Sequence, residues 1–291
     1  MDWTEDRIEW TADGKPVQLG LTRFGAGPKL LMLPALSSIS TRAELRPLQE
    51  RLGDSFSTVT TDWPGFGDLP RARIDWRPEL YQDFLRFVLT EIVTPDITIA
   101  AGHAASYALA HASDYPDSTG RLCLLSPTWR GPLPTMTGKR MTLFRRLAKA
   151  VDLPLAGTAL YRLNVNRPVI GMMARGHVYA DPDWLTEDRM AAKQSVTKVP
   201  GARHASFRFV AGELDLFTSR ETFLNTARRI RGHIRLVHGH ATPRKSKAEM
   251  AALARLENVT TMVLPRGKLS FYEEFPDDAA EAIRTMMGPA N

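Results

Sequence analysis

The sequence predicts an α/β fold: a mostly parallel central sheet flanked by helices, with an inserted helical cap. Two observations carry the prediction. Short apolar runs alternate with helix-patterned segments over residues 17–126 and again over residues 220–287, the pattern of a parallel sheet covered on both faces. Between residues 130 and 206 the alternation stops, and helical patterns with Pro and Gly punctuation replace it. At 291 residues, the chain suits one large domain or a core carrying an insertion. The expected division is a first core part over 1–129, a helical cap over 130–206 and a second core part over 207–291.

Each element has its own local reason. Val17–Gly25 alternates weakly and predicts an early strand. Lys29–Pro34 is an apolar run closed by proline, as expected of a buried strand. Thr41–Leu52 spaces Leu45, Leu48 and Leu52 as a helix does. Phe56–Asp62 is rich in β-branched residues and predicts a strand. It ends in the turn signal Pro64-Gly65-Phe66-Gly67. Pro78–Val93 predicts a helix with proline in its first turn. Ile97–Ala101 predicts a strand passing directly into a helix from about Ala104 to Ser113, and Arg121–Ser126 is the next strand. After the cap come a helix over Arg220–Ile230, a strand over Ile234–Gly239 and a helix over Lys245–Leu256. A strand over Val259–Leu264 and a last helix over Pro276–Met287 follow. Residues 1–16 receive no element, although Trp3 and Trp10 point to some packing.

Composition narrows the function classes. Apolar residues make up 43% and charged residues 24%, as in ordinary soluble domains. No apolar run reaches the roughly 18 residues that suggest a membrane span. The opening MDWTEDRIEW does not resemble a signal or transit peptide, so the cytoplasm is the expected location. Cys123 is the single cysteine and sits in an apolar run. It is expected to be a buried thiol, with no disulfide framework or cysteine-based metal site. No histidine has the spacing of a recognised zinc motif, so no metal is expected.

The net charge is +6, with basic residues concentrated at Lys139-Arg140, Arg145-Arg146-Lys149, Arg228–Arg235 and Arg244–Lys247. Solvated helix faces explain these clusters. A weak contact of Lys139–Lys149 with an anionic surface is the alternative. No zinc-finger or RNA-binding motif occurs, and no nucleic-acid partner is expected. Gly65–Pro70 lacks the further glycine and lysine of a phosphate loop. Its Pro70 stands where a dinucleotide fingerprint needs a small residue, and would obstruct a helix there. No cofactor is expected. The residues leave the oligomeric state open.

Four stretches carry a resemblance. Asp62-Trp63-Pro64-Gly65-Phe66-Gly67 resembles a D-x-P-G-x-G turn, and Gly102-His103-Ala104-Ala105-Ser106 falls where a G-x-S-x-G elbow would stand. His238–Pro243 resembles a G-x-x-D-P loop, and Leu264–Leu269 with the following Glu-Glu-Phe-Pro resembles a C-terminal histidine loop. In this order and spacing they resemble the α/β-hydrolase fold over nearly the whole chain. More narrowly, Ser37–Glu44, Ser126–Pro134 and Tyr161–Pro168 look like an uncharacterised hydrolase-like group of cyanobacteria and plastids.

The resemblance also implies which residues should act, and the chain departs from it three times. A serine triad needs a nucleophilic oxygen, a base touching it and an acid orienting the base. The nucleophile position falls on Ala104, whose methyl group has no lone pair. The acid position falls on Thr242, which carries no carboxylate, and the base position on Leu269. A degenerate triad is therefore expected. The backbone amides of Ala105 and of Leu36 or Ser37 remain as an oxyanion-hole-like cradle.

Other groups compete for a role. Ser37 is a ligand contact or a turn former. Ser126 stands at a strand end, where open α/β sheets place their sites. Trp129 and Arg130 form either an aromatic platform beside a cation or an anchor for the cap. His103 supports the elbow or acts as a base, and His240 lies in the acid loop. Ser106 lies about 200° around the helix from residue 104 and should face away.

The expected function is a hydrolase-fold protein with little or no serine-hydrolase turnover. It would bind a small, mainly apolar molecule bearing a carbonyl or carboxylate, at Leu36, Ser37, Ala105, Trp129 and Arg130. One alternative is an atypical, esterase-like hydrolase using a relocated serine or a His-activated water, with Ser37, Ser126, His103 and His240 as candidates. A protein-interaction or structural role is the other.

Overall fold

The computed structural model describes residues 2–288. Eight strands form one sheet in the order β1-β2-β4-β3-β5-β6-β7-β8. They are β1 (Thr4–Ala12), β2 (Lys15–Phe24), β3 (Lys29–Leu33), β4 (Ser57–Thr61), β5 (Ile97–Ala101), β6 (Arg121–Leu125), β7 (Ile234–Gly239) and β8 (Val259–Leu264). β1 and β2 pair antiparallel, as do β2 and β4. The pairs from β4 through β3, β5, β6 and β7 to β8 are parallel.

The expected strands fall within a residue or two of those observed. β1 is the element that the sequence reading left out. It is mostly exposed because it is an edge strand, and only Trp10 and Ala12 are buried. Asp13 and Gly14 close its hairpin with φ of 49° and 73°, the paired positive values that a two-residue Asp-Gly turn supplies. Trp3 stacks on Phe24 at 4.3 Å, and Trp10 meets Phe84 edge-on at 5.3 Å.

Alternation along the parallel strands divides the core into two layers. Leu31, Leu33, Ala100, Leu122, Leu124 and Leu236 face one side. There they pack against α2 (Pro78–Phe87), α3 (Ala104–Asp114) and α10 (Arg220–Arg228). Leu30, Met32, Ile97, Ile99, Cys123 and Val237 face the other side, against α1 (Arg46–Leu52) and α13 (Pro276–Met287). Burying each leucine, isoleucine, valine or methionine among them is worth about 1.5–3 kcal/mol. Both layers are needed because a parallel sheet has no face left for water. The Cys123 thiol is fully buried, and desolvation pushes it up to about 12.

Between β6 and β7 the chain runs through helices. They are α4 (Pro132–Thr137), α5 (Thr142–Ala150), α6 (Pro154–Asn164), α7 (Arg167–Met173), α8 (Glu187–Lys198) and α9 (Ala202–Ala211), followed by α10. We refer to α4–α9 as the cap. α9 continues past the boundary expected at residue 206. Polar contacts fasten the cap to the core. Arg71 donates to the carbonyls of Gly67 and Val196, and Arg208 pairs with Asp152 at 2.7 Å and Asp75 at 3.0 Å. Lys193 pairs with Glu273 at 2.8 Å, on the short α12 (Phe271–Glu274).

Arg42 ties the loops after β3 and β4 together. Its guanidinium meets Asp62 at 2.5 Å and Asp68 at 2.7 Å, and its own amide donates to Asp62 at 2.7 Å. Asp62 is 2% exposed, so removing its partner strands a charge. Arg42→Met is expected to lose about 3–5 kcal/mol of unfolding free energy in urea. Arg42→Met with Asp62→Asn is expected to recover most of that loss. An unchanged midpoint for the single variant would show the pair to be inert.

Candidate functional site

The site is built on the turn from β5 into α3. Gly102 has φ of +54°, and a Cβ there would sit 3.1 Å from that of Ala35, so only glycine fits without displacing the loop after β3. Its amide donates to Leu125 at 2.9 Å and its carbonyl accepts from Thr128 at 3.0 Å. The ends of β3, β5 and β6 are thereby locked to one another. Ala104 is the first residue of α3 and is fully buried.

The groups beside Ala104 are engaged elsewhere. Ser106 donates to the Thr128 carbonyl at 3.0 Å. Ser126 carries a positive φ of 44°, and its hydroxyl lies 3.5 Å from the Lys268 carbonyl. Ser37 accepts from the Ile39 amide at 3.4 Å, while Ser38 and Ser206 share a hydrogen bond of 2.6 Å between loop and cap. The Leu36 amide finds no partner among the described residues, whereas the Ala105 amide donates weakly to Gly102 at 3.3 Å.

His103 Nε2 is 3.2 Å from the Leu214 carbonyl and 3.6 Å from Asp215, and its Nδ1 has no partner. Burial pulls this imidazole down to about 4. Asp215 accepts from the Gly131 amide at 2.7 Å and lies 3.3 Å from Arg140. Burial pushes its carboxyl up to about 7, with Arg140 and the Gly131 amide opposing. The contact is therefore not an ion pair at neutral pH, because the imidazole is neutral.

The remaining predicted residues are spread apart. The Thr242 hydroxyl is buried without a partner. His240 is exposed, with its amide bonded to Leu264. The segment holding Leu269 leans on the cap: Lys268 donates to the Arg175 carbonyl at 2.6 Å, and the Ser270 amide to Val178 at 3.1 Å. Trp129 donates to Glu249 at 3.1 Å and stacks on Phe223, and the Arg130 guanidinium lies over the Trp129 ring at 4.0 Å. Trp129 and Arg130 line a cavity of about 260 Å³ beside Arg220 and Lys245. A larger cavity of about 730 Å³ lies within the cap, between α6 and α9. Ala104, Ala105, Leu36 and Ser37 line neither of these, nor the cavities at Asp96 and at Asp75.

Two polar clusters had no signal in the sequence. His204 Nδ1 lies 2.6 Å from Asp152 within the cap. Burial lowers that imidazole, with Asp152 opposing. Glu44 accepts from the Ala35 amide at 2.8 Å and from Tyr272 at 3.0 Å. Burial pushes its carboxyl up to about 7. Each cluster joins residues far apart in the chain, so spacing alone could not find it. Among the described residues, no three His, Cys, Asp or Glu side chains converge as a metal ion would require. No helix of the described residues is long and apolar enough to cross a membrane.

Residues 30–282 match the model of the alpha/beta hydrolase family, and the chain belongs to that family. No curated protein matches the chain. Among solved structures, it is similar to a thermophilic esterase from Thermogutta terrifontis. The identity is 18%, the coverage 97% of this chain and 98% of that one, and the TM-score 0.71. It is also similar to a serine hydrolase involved in carbazole degradation, with 12% identity, 99% and 100% coverage and a TM-score of 0.72. The haloalkane dehalogenase DatA from Agrobacterium tumefaciens C58 shares 14% identity over 97% and 96% of the two chains, with a TM-score of 0.69. At these identities the likeness concerns the fold.

The Asp215 carboxyl gives a pH signature. It holds its proton up to about 7 when native and loses it near 3.8 when unfolded. The native state therefore binds more protons between those values, and this group's contribution to stability falls as pH rises from 4 toward 7. Asp215→Asn keeps an acceptor for Gly131 and removes the titration. The difference in stability between wild type and variant, from denaturant melts at pH 5 and pH 8, is expected to shift toward the variant at pH 8. An identical pH slope for both proteins would show that Asp215 is ionised throughout.

Proposed function

We propose that this chain is a hydrolase-fold binding protein with little or no serine-hydrolase turnover, acting in the cytoplasm. The supporting observation is Ala104 at the first residue of α3, with Thr242 and Leu269 in the loops after β7 and β8. A hydrolase of this family would need a hydroxyl, a carboxylate and an imidazole at those three places. The neighbouring hydroxyls of Ser106 and Ser38 are already hydrogen-bonded, and neither touches an imidazole. Neutral His103 is directed at the Leu214 carbonyl.

The ligand that suits the remaining groups is small and mainly apolar, with a carbonyl or carboxylate end. The unpartnered Leu36 amide would meet its oxygen, together with the weakly bonded Ala105 amide. The side chains beside these amides, Ala104, Ala105 and Leu36, are apolar and buried. None of these residues lines the cavities described above, so binding at this turn requires α9 to draw back from the loop after β4. That seam is where Ala205 lies against Gly65.

Fluorophosphonate labelling read by intact-protein mass tests the reading. Wild type is expected to stay unmodified. Ala104→Ser is also expected to stay unmodified, with p-nitrophenyl acetate hydrolysis close to background, because no base stands beside the new hydroxyl. A stoichiometric adduct on any wild-type serine would overturn the proposal. So would a rate gain of about 10⁶-fold in Ala104→Ser, the scale that a working triad supplies.

A further inference from the structure

The cap carries a surface that the binding site does not use. From Gly131 to Val178 the chain has eight Lys and Arg residues against the single acidic Asp152, a net of +7, whereas the whole chain carries +6. Asp152 is itself held by Arg208 and His204. The same stretch holds seven of the nine large apolar side chains that are exposed among the described residues. Leu155 is 89% exposed, Leu163 68% and Met172 59%.

Spacing organises these residues. Leu155, Ala159 and Leu163 follow one another at i, i+4 and i+8 on α6, which places them on one face, and all three are exposed. Arg162 flanks that face, and Arg167 follows at the start of α7. On α5, Phe144 and Ala148 are buried, while Leu143, Arg145, Arg146 and Lys149 are exposed. At 11 residues, α6 is about 16 Å long. It is too short to cross a hydrocarbon layer of about 30 Å, so it can only lie on one.

We propose that α5–α7 form a docking surface for an anionic lipid bilayer, with the leucines and Met172 entering the headgroup boundary and the arginines meeting lipid phosphates. Charge selects this occupant. Arg167 is paired with Glu187, but the stretch 131–178 still carries a net +7, and two copies meeting through it would repel each other, which disfavours a dimer. A nucleic acid would use the arginines but would leave aliphatic leucines at full exposure in water. A bilayer with anionic headgroups satisfies both sets at once.

Vesicle flotation of the full chain tests this. The vesicles are phosphatidylcholine alone, or with about a third phosphatidylglycerol, in 0.15 M salt. The protein is expected to float with anionic vesicles and to stay behind with neutral ones. Leu155→Ser with Leu163→Ser removes only exposed apolar surface and is expected to reduce partitioning about tenfold. Arg145→Glu with Arg146→Glu is expected to reduce it at least as much. Circular dichroism and melting of each variant check that the fold is intact. Failure of folded wild type to float, or equal flotation with neutral vesicles, would overturn the proposal. Binding to heparin and to anionic vesicles that survives the leucine changes undiminished would reassign the surface to polyanions generally.

Discussion

The turn from β5 into α3 is the constraint on which the rest of the site depends. Gly102 must take a left-handed conformation there while its backbone bonds to β6 and to the Thr128 amide. Ala35 presses on it from the loop after β3. Three strand ends are thus fixed by one residue whose side chain is a hydrogen. Small residues follow it, because α3 enters directly against the sheet. Ala104, Ala105 and Ala108 are all fully buried. The alanine run satisfies packing at this junction without reference to any ligand. On the function we propose, this turn supplies backbone amides and methyl groups in place of a nucleophilic oxygen.

Burial of carboxyls around that turn has a common origin. Glu44, Asp62 and Asp215 lie in different loops at the same end of the sheet, and desolvation raises all three. Each accepts a backbone amide: Ala35 to Glu44, Arg42 to Asp62, Gly131 to Asp215. Each carboxyl thereby satisfies an amide for which its loop offers no backbone acceptor. Raised carboxyls in a cleft are often taken as catalytic markers. Here the amide contacts and the lack of a nearby nucleophile favour loop bracing as their role.

Much of this architecture was legible in the sequence because the parallel strands are buried on both faces and bounded by turns. Lys29–Leu33 and Ile97–Ala101 could be read almost to the residue. β1 was missed because an edge strand carries charge on its exposed face. The Asp13-Gly14 pair and the alternation of Ile8, Trp10 and Ala12 were the available signal. The site was less legible. Ser106 is bonded to the Thr128 carbonyl, and Trp129 and Arg130 lie at a cavity that Ala104 does not share. The His204–Asp152 contact joins residues 52 apart, and no local rule places such a pair. Side-chain meetings across the cap depend on helix packing, which periodicity does not encode.

Core and cap differ in what holds them. The sheet is sealed by two extensive apolar layers, and opening either would expose many side chains at about 25 cal/mol per Å². Within the cap, one apolar cluster has five buried residues and another has three. Its seam with the core joins Arg71, Arg208, Lys193 and the Ser38–Ser206 contact to apolar contacts from Ala205, Phe209 and Val210 of α9, which belong to the sheet's own apolar layer. Water can replace polar contacts of this kind at modest net cost, whereas it cannot replace a leucine layer. α9 is therefore held by both kinds of contact, whereas α5 and α6 rest on the two small clusters. The leucines and arginines exposed on α5 and α6 thus belong to the cap helices that the sheet's apolar layers hold least.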